Sequence, residues 1–207
     1  MTANTKKLLL FGGTFDPIHN GHLATAAAAC NELAADEVCF MPAATSPFKL
    51  GQACASASHR LAMIELAIAG NPRFTASDLE ITFPPPSYTF NTLQRLQVMH
   101  SNTNILLLIG ADQLPKLHVW LNINELLRLA DLAILPRPGY STAPAAPAQI
   151  DPAAWAARPR LWLATPLTPI SSTHVRQRVA LGLPISGLVP PAVERYINQH
   201  ALYRQSA

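Results

Sequence analysis

Lys7-Leu8-Leu9-Leu10-Phe11-Gly12-Gly13-Thr14-Phe15-Asp16-Pro17-Ile18-His19-Asn20-Gly21-His22 runs from a short apolar stretch through two glycines into the Ala-rich segment Leu23 to Cys30. A buried strand that breaks at glycines and enters a helix is where an α/β protein holds phosphate, because free backbone N–H groups and the helix dipole point at the ligand. His19 and His22 flank Gly21 at the helix mouth, where imidazoles can donate hydrogen bonds to phosphoryl oxygens and the glycine leaves room for them. Taken singly, Gly12-Gly13 reads equally as a tight turn and His19 as a helix cap. The string is neither a Walker A loop, since no Gly-Lys-Ser/Thr follows, nor a G-x-G-x-x-G fingerprint. His19 and His22 lack a third ligand nearby, so no metal site is assigned to them.

Outward from this stretch, short apolar runs alternate with helix-period segments, the pattern of a parallel sheet with crossover helices. Strands are expected at Lys7 to Phe11, Glu37 to Met41, Phe74 to Leu79, Asn104 to Ile109, Asp131 to Leu135 and Leu161 to Ala164. Helices are expected at His22 to Leu33, His59 to Ala69, Thr89 to Met99, Ile123 to Leu129, Thr173 to Leu181 and Pro191 to His200, with a short turn near Gln113. The fold class is therefore α/β: a Rossmann-like, doubly wound parallel sheet with flanking helices. Residues 1–207 are read as one domain, interrupted by an Ala/Pro-rich surface loop at about 140–160. Ligands in such a sheet bind beyond the carboxyl ends of strands, where the strand order reverses. Gly110-Ala111-Asp112 and Arg137-Pro138-Gly139 sit at such ends, as the glycine pair does.

With 49% hydrophobic and 13% charged residues the chain is globular. Its net charge of +3 is spread without a Lys/Arg block, which argues against nucleic-acid binding. Apolar stretches are too short or too interrupted to cross a membrane, and no signal-peptide core follows Lys7, so a cytoplasmic location is expected. Cys30, Cys39 and Cys54 form no C-x-x-C pair and read as unpaired thiols of a reducing compartment.

The opening string resembles the GxFxPxHxGH signature of the nucleotidyltransferase superfamily. Ile170-Ser171-Ser172-Thr173-His174-Val175-Arg176, about 150 residues on, resembles its second signature, ISSTxxR. Within the superfamily the chain is most similar to the nicotinate-nucleotide adenylyltransferases, from Leu8 to about Arg204. That resemblance implies ATP-dependent adenylylation of nicotinate mononucleotide, giving nicotinate adenine dinucleotide and pyrophosphate on the route to NAD, with Mg2+ accompanying ATP. The alternatives are an adenylyltransferase for nicotinamide mononucleotide or phosphopantetheine, and a non-catalytic nucleotide-binding relative. Members of the family differ in assembly, so the resemblance implies no oligomeric state.

It also implies roles. His19, His22 and Arg176 are the candidate catalytic residues, with Arg178 less suited because it falls outside the motif. Gly12, Gly13, Thr14, Phe15 and Gly21 would line the ATP, Ser171, Ser172 and Thr173 would meet the outgoing phosphates, and Gly110 and Asp112 would meet the ribose. Ser-Ser-Thr before a helix is also simply an N-cap, and Asp112 could cap the helix at Gln113. On the substrate side, the resemblance assigns Ser87, Tyr88 and Thr89 to the pyridine carboxylate, Trp120 to stacking on the ring and Lys49 to the phosphates. Tyr88 and Trp120 could also be ordinary partly buried aromatics. Two departures stand out: Ser46-Pro47-Phe48 replaces the family's Pro-Pro-His, and Leu121 follows Trp120 where the family has Tyr.

Overall fold

The computed structural model describes residues 5–44, 55–140, 147–165 and 168–204. Lys49, Phe48 and Cys54 lie outside the described residues. Strand β1 (Lys6–Gly13) lies between β2 (Glu37–Pro42) and β4 (Thr103–Gly110). All three are covered on both faces, which is why each reads as an unbroken apolar run rather than an alternating one. With β3 (Phe74–Ala76), β5 (Asp131–Leu135) and β6 (Arg160–Trp162) they form one sheet in the order β3-β2-β1-β4-β5-β6, every pair parallel.

Side-chain alternation divides the core. Leu9, Phe40, Leu106 and Leu108 face helices α1 (Asn20–Glu32), α2 (Ala57–Ile68), α6 (Ser172–Ala180) and α7 (Pro191–Gln199), through Ala26, Ala29, Met63, Ile64, Val175, Val193 and Ile197. Leu8, Leu10, Ile105 and Leu107 face α3 (Thr89–Met99), a 3-10 helix (Ala111–Val119) and α4 (Ile123–Leu129). The chain winds outward from β1 to β3, then returns to β4 beside β1 and winds the other way. Loops after β1 and β4 therefore diverge to opposite faces and open a crevice between them. Among the described residues no helix is long and apolar enough to cross a membrane.

Three local features differ from expectation. β3 stops at Ala76, because the chain turns at Ser77-Asp78: the Leu79 N–H donates to Ser77 Oγ, and the Ile81 and Thr82 N–H groups donate to the Asp78 carbonyl. The turn near Gln113 is a 3-10 helix that accommodates Pro115. The segment expected as a loop carries a short helix α5 (Pro152–Ala156), with Asp151 accepting from the Ala153 and Ala154 N–H groups and Ile150 buried. Its period was invisible because five residues make barely more than one turn. Cys30 and Cys39 are buried free thiols, and burial pushes Cys39 up to about 12 and Cys30 upward.

Candidate active site

Helix α1 begins two residues before its expected start because His19 caps it. The His22 N–H donates to His19 Nδ1 at 3.2 Å, and the His19 N–H donates to His22 Nδ1 at 3.3 Å. Two imidazoles thus form a reciprocal capping box. Their rings stack at 3.6 Å, and the edges of Phe11 and Phe15 hold His22 from the side. Burial pushes His19 down to about 4, and burial, then the charges of His19 and Arg137, holds His22 well below the ordinary range. Both rings are therefore neutral at pH 7. Since each Nδ1 accepts a hydrogen bond, each proton resides on Nε2, and each ring offers one N–H donor.

Folding keeps the His19 pKa below its ordinary 6.5, so as pH falls the unfolded chain takes up the proton first. That share of stability is complete above pH 6.5 and is lost as pH falls toward 4. His19→Asn keeps a capping acceptor but cannot titrate. Its melting temperature should fall less steeply across this window than that of the wild type, and parallel curves would contradict a neutral buried ring.

The second signature closes on the first. Ser172 Oγ donates to the Pro17 carbonyl at 2.9 Å, and Arg176 Nη1 donates to the Asp16 carbonyl at 2.7 Å, with the Asp16 carboxylate 3.7 Å away. A Cβ on Gly21 would collide with the Thr168 hydroxyl and crowd the His19 ring. The Cβ direction of Gly21 is therefore taken up by protein, so packing of the chain itself requires a glycine there. Ser171 is the N-cap of α6, accepting from the His174 N–H, while Thr173 is exposed and its Oγ1 accepts from Arg176. Capping and the bond to Pro17 thus occupy two of the three hydroxyls. Phe15 is 2% exposed and packs in the core against Gly13, so only its backbone can face a ligand.

Between the ends of β1 and β4 lies a cavity of about 790 Å³. Gly12, Gly13 and Thr14 form one wall, Gly110, Asp112 and Gln113 another, and Ser87, Tyr88, Thr89 and Trp120 a third. Asp112 does not cap a helix; its carboxylate pairs with Arg137 Nε at 3.3 Å and accepts from Gln113 Nε2 at 2.6 Å. A side chain on Gly110 would strike that carboxylate. Tyr88 is the N-cap of α3 and makes no side-chain cap bond, and Tyr88, Thr89 and Phe90 line the cavity, so the uncapped N-terminus of this helix borders it. Such an end suits a carboxylate. Trp120 Nε1 is buried without a hydrogen-bond partner among the described residues, a donor whose satisfaction calls for a ligand or a turn of the ring.

Residues 10–178 match the cytidylyltransferase-like family model. The chain is 44% identical over 195 residues to a Roseiflexus sp. (strain RS-1) protein named "Probable nicotinate-nucleotide adenylyltransferase", covering 94% of this chain and 96% of that one. A Neisseria meningitidis serogroup B protein of the same name is 40% identical over 206 residues, covering 97% and 100%. The chain belongs to the nicotinate-nucleotide adenylyltransferase family. A Plasmodium falciparum nicotinic acid mononucleotide adenylyltransferase complexed with NaAD shares the fold, with TM-score 0.74, 19% identity and coverage of 96% and 97%.

For a member of this adenylyltransferase family, sequence reasoning passed over several residues around the site. Arg137, placed beyond a strand's carboxyl end by the sequence but given no role there, follows β5 by two residues and lies beside Gly110 and Asp112. Asp16, 4% exposed, accepts from the Tyr203 hydroxyl at 2.7 Å and the Ala55 N–H at 3.1 Å while facing Arg176. Glu80 and Lys116 also line the cavity, together with Val119 and Leu121, the second of which the sequence had marked as a departure. Nothing local marks Asp16, Glu80 or Thr168, whose roles come from distant segments.

Proposed function

We propose that the protein adenylylates nicotinate mononucleotide in the crevice between β1 and β4. A phosphate oxygen of that nucleotide attacks the α-phosphorus of ATP in line, the bond to the β-phosphate oxygen breaks, and pyrophosphate leaves with the electron pair. The nucleophile is ionised at pH 7, so the chain need supply no general base; positioning and donors aimed at developing charge suffice. The observation that carries this reading is the meeting of both signatures at the mouth of α1, beside a cavity walled by the glycine loop and the open end of α3.

In this reading His19 and His22 direct their Nε2–H donors at the triphosphate. Arg176 places a permanent charge by the outgoing pyrophosphate, and Gly12, Gly13 and Thr14 line its path. Asp112 and Gly110 take the ribose, exchanging the Arg137 pair for two hydroxyls. Thr89 and its neighbours read the pyridine carboxylate, which favours nicotinate over nicotinamide because backbone donors complement an anion. Mg2+ bound to ATP would supply neutralisation of polyphosphate charge. Among the described residues no group of three or more metal-ligating side chains exists, which fits an ion held by phosphate oxygens and water. Buried free thiols at Cys30 and Cys39 support a cytoplasmic setting.

Pyrophosphate release from ATP and Mg2+ should depend on nicotinate mononucleotide and be weaker with nicotinamide mononucleotide or phosphopantetheine. Binding without release would make the chain a sensor rather than an enzyme. Trp120→Ala should raise the KM for the pyridine nucleotide by about tenfold, the worth of a stacked ring, while that for ATP stays nearly constant. Equal changes in both would assign the indole to the core alone.

A further inference from the structure

Arg60, on α2, is 1% exposed, and no carboxylate among the described residues pairs with it. Among the described residues its guanidinium bonds only to backbone carbonyls: Nη1 to Thr14 at 2.7 Å, Nη2 to Ala43 at 2.7 Å and Ala44 at 3.1 Å, and Nε to Ala55 at 3.1 Å. Thr14 follows β1 and Ala43 follows β2, so one planar fork joins the carboxyl ends of two neighbouring strands. Burying a charge costs several kcal/mol, as an order of magnitude, and an apolar side chain could fill the same volume without that cost. A shape-filling role alone therefore leaves the choice of arginine unexplained.

The contacts continue beyond the fork. The Ala44 N–H donates to Ser87 Oγ at 3.0 Å, and the Ser87 hydroxyl lies near enough to the Glu80 carboxyl to favour its charged form. Thr92 Oγ1 donates to Glu80 Oε1 at 2.6 Å. Burial raises the Glu80 pKa, and the bonds from Thr92 and Ser87 oppose that rise. Thr14, Ala43, Ser87 and Glu80 all line the cavity, whereas Arg60 stands behind its wall. A continuous path thus runs from the glycine loop, through Arg60, Ala44, Ser87 and Glu80, to the first turns of α3.

We propose that Arg60 is a positioning residue for adenylyl transfer, holding the glycine-loop wall and the pyridine-side wall of the cavity in register. The inference rests on the function proposed above. One wall sets the α-phosphorus and the other sets the attacking phosphate, so slippage between them lengthens the in-line approach while leaving each wall able to bind its own substrate. Displacement of that kind costs rate more than affinity.

Arg60→Lys keeps the charge but not the fork, and a single ammonium cannot span three segments. Measured per folded molecule well below its melting temperature, its kcat should fall about ten- to a hundredfold, with each KM within about threefold of wild type. Wild-type kcat, or a loss wholly accounted for by a smaller folded fraction, overturns the proposal. If the lysine variant does not fold, Thr92→Val is the second test: it breaks the path at a buried residue behind the cavity, and an unchanged kcat there overturns the proposal equally. A wild-type protein that releases no pyrophosphate with nicotinate mononucleotide would instead defeat the functional reading, before any variant is made.

Discussion

His22→Ala is expected to lower turnover by about a hundredfold or more, the effect of removing one preorganised donor, with the parallel sheet intact. The ring is held on three sides: its Nδ1 takes the His19 N–H, its face stacks on His19, and the edges of Phe11 and Phe15 abut it. Those contacts hold the ring in place, so its Nε2–H donor has little reorganisation to undergo as charge develops. Alanine also removes half of the capping box, so stability should drop by about 1 kcal/mol, visible as a modest fall in melting temperature. Pyrophosphate release at saturating substrate measures the first effect and circular dichroism the second. Turnover within about threefold of wild type would remove His22 from the mechanism.

Arg176→Ala should cost a comparable factor in turnover, about a hundredfold, together with a larger loss of stability than His22→Ala. In the proposed function the guanidinium carries charge beside the phosphate path, and in the structure it ties α6 to the first signature through the Asp16 carbonyl at 2.7 Å. Truncation leaves the buried Asp16 carboxylate with the Tyr203 hydroxyl and the Ala55 N–H but without its cation. Because the pair is 3.7 Å apart and Arg176 is partly exposed, the cost is set at about 1–2 kcal/mol. Asp16→Asn in the same chain should recover most of that stability and none of the turnover. A double variant that regained turnover would show that Arg176 acts on the fold alone.

Much of this was legible because it is written locally. The apolar runs Leu8 to Phe11, Asn104 to Ile109 and Asp131 to Leu135 became β1, β4 and β5, since strands covered on both faces need only be continuously apolar. His19 and His22 were placed at a helix mouth by spacing, and they are there. The expected strand at Phe74 to Leu79 failed at its far end, where turn hydrogen bonds at Ser77 and Asp78 outcompeted an apolar tail. A helix as short as α5 leaves no period to read.

The amino-acid order by itself determined the strand and helix succession, the two signatures and hence the family, because each depends on neighbours within one or two turns of chain. Only the tertiary structure decided what each polar group does there. Ser171 caps α6 and Ser172 holds Pro17; Phe15 turns its ring into the core; Arg60 spans the ends of two strands. Arg176 meets a carbonyl 160 positions earlier. A hydroxyl, ring or guanidinium can bond to whatever the fold brings within about 3 Å, and no local pattern encodes which distant segment that will be.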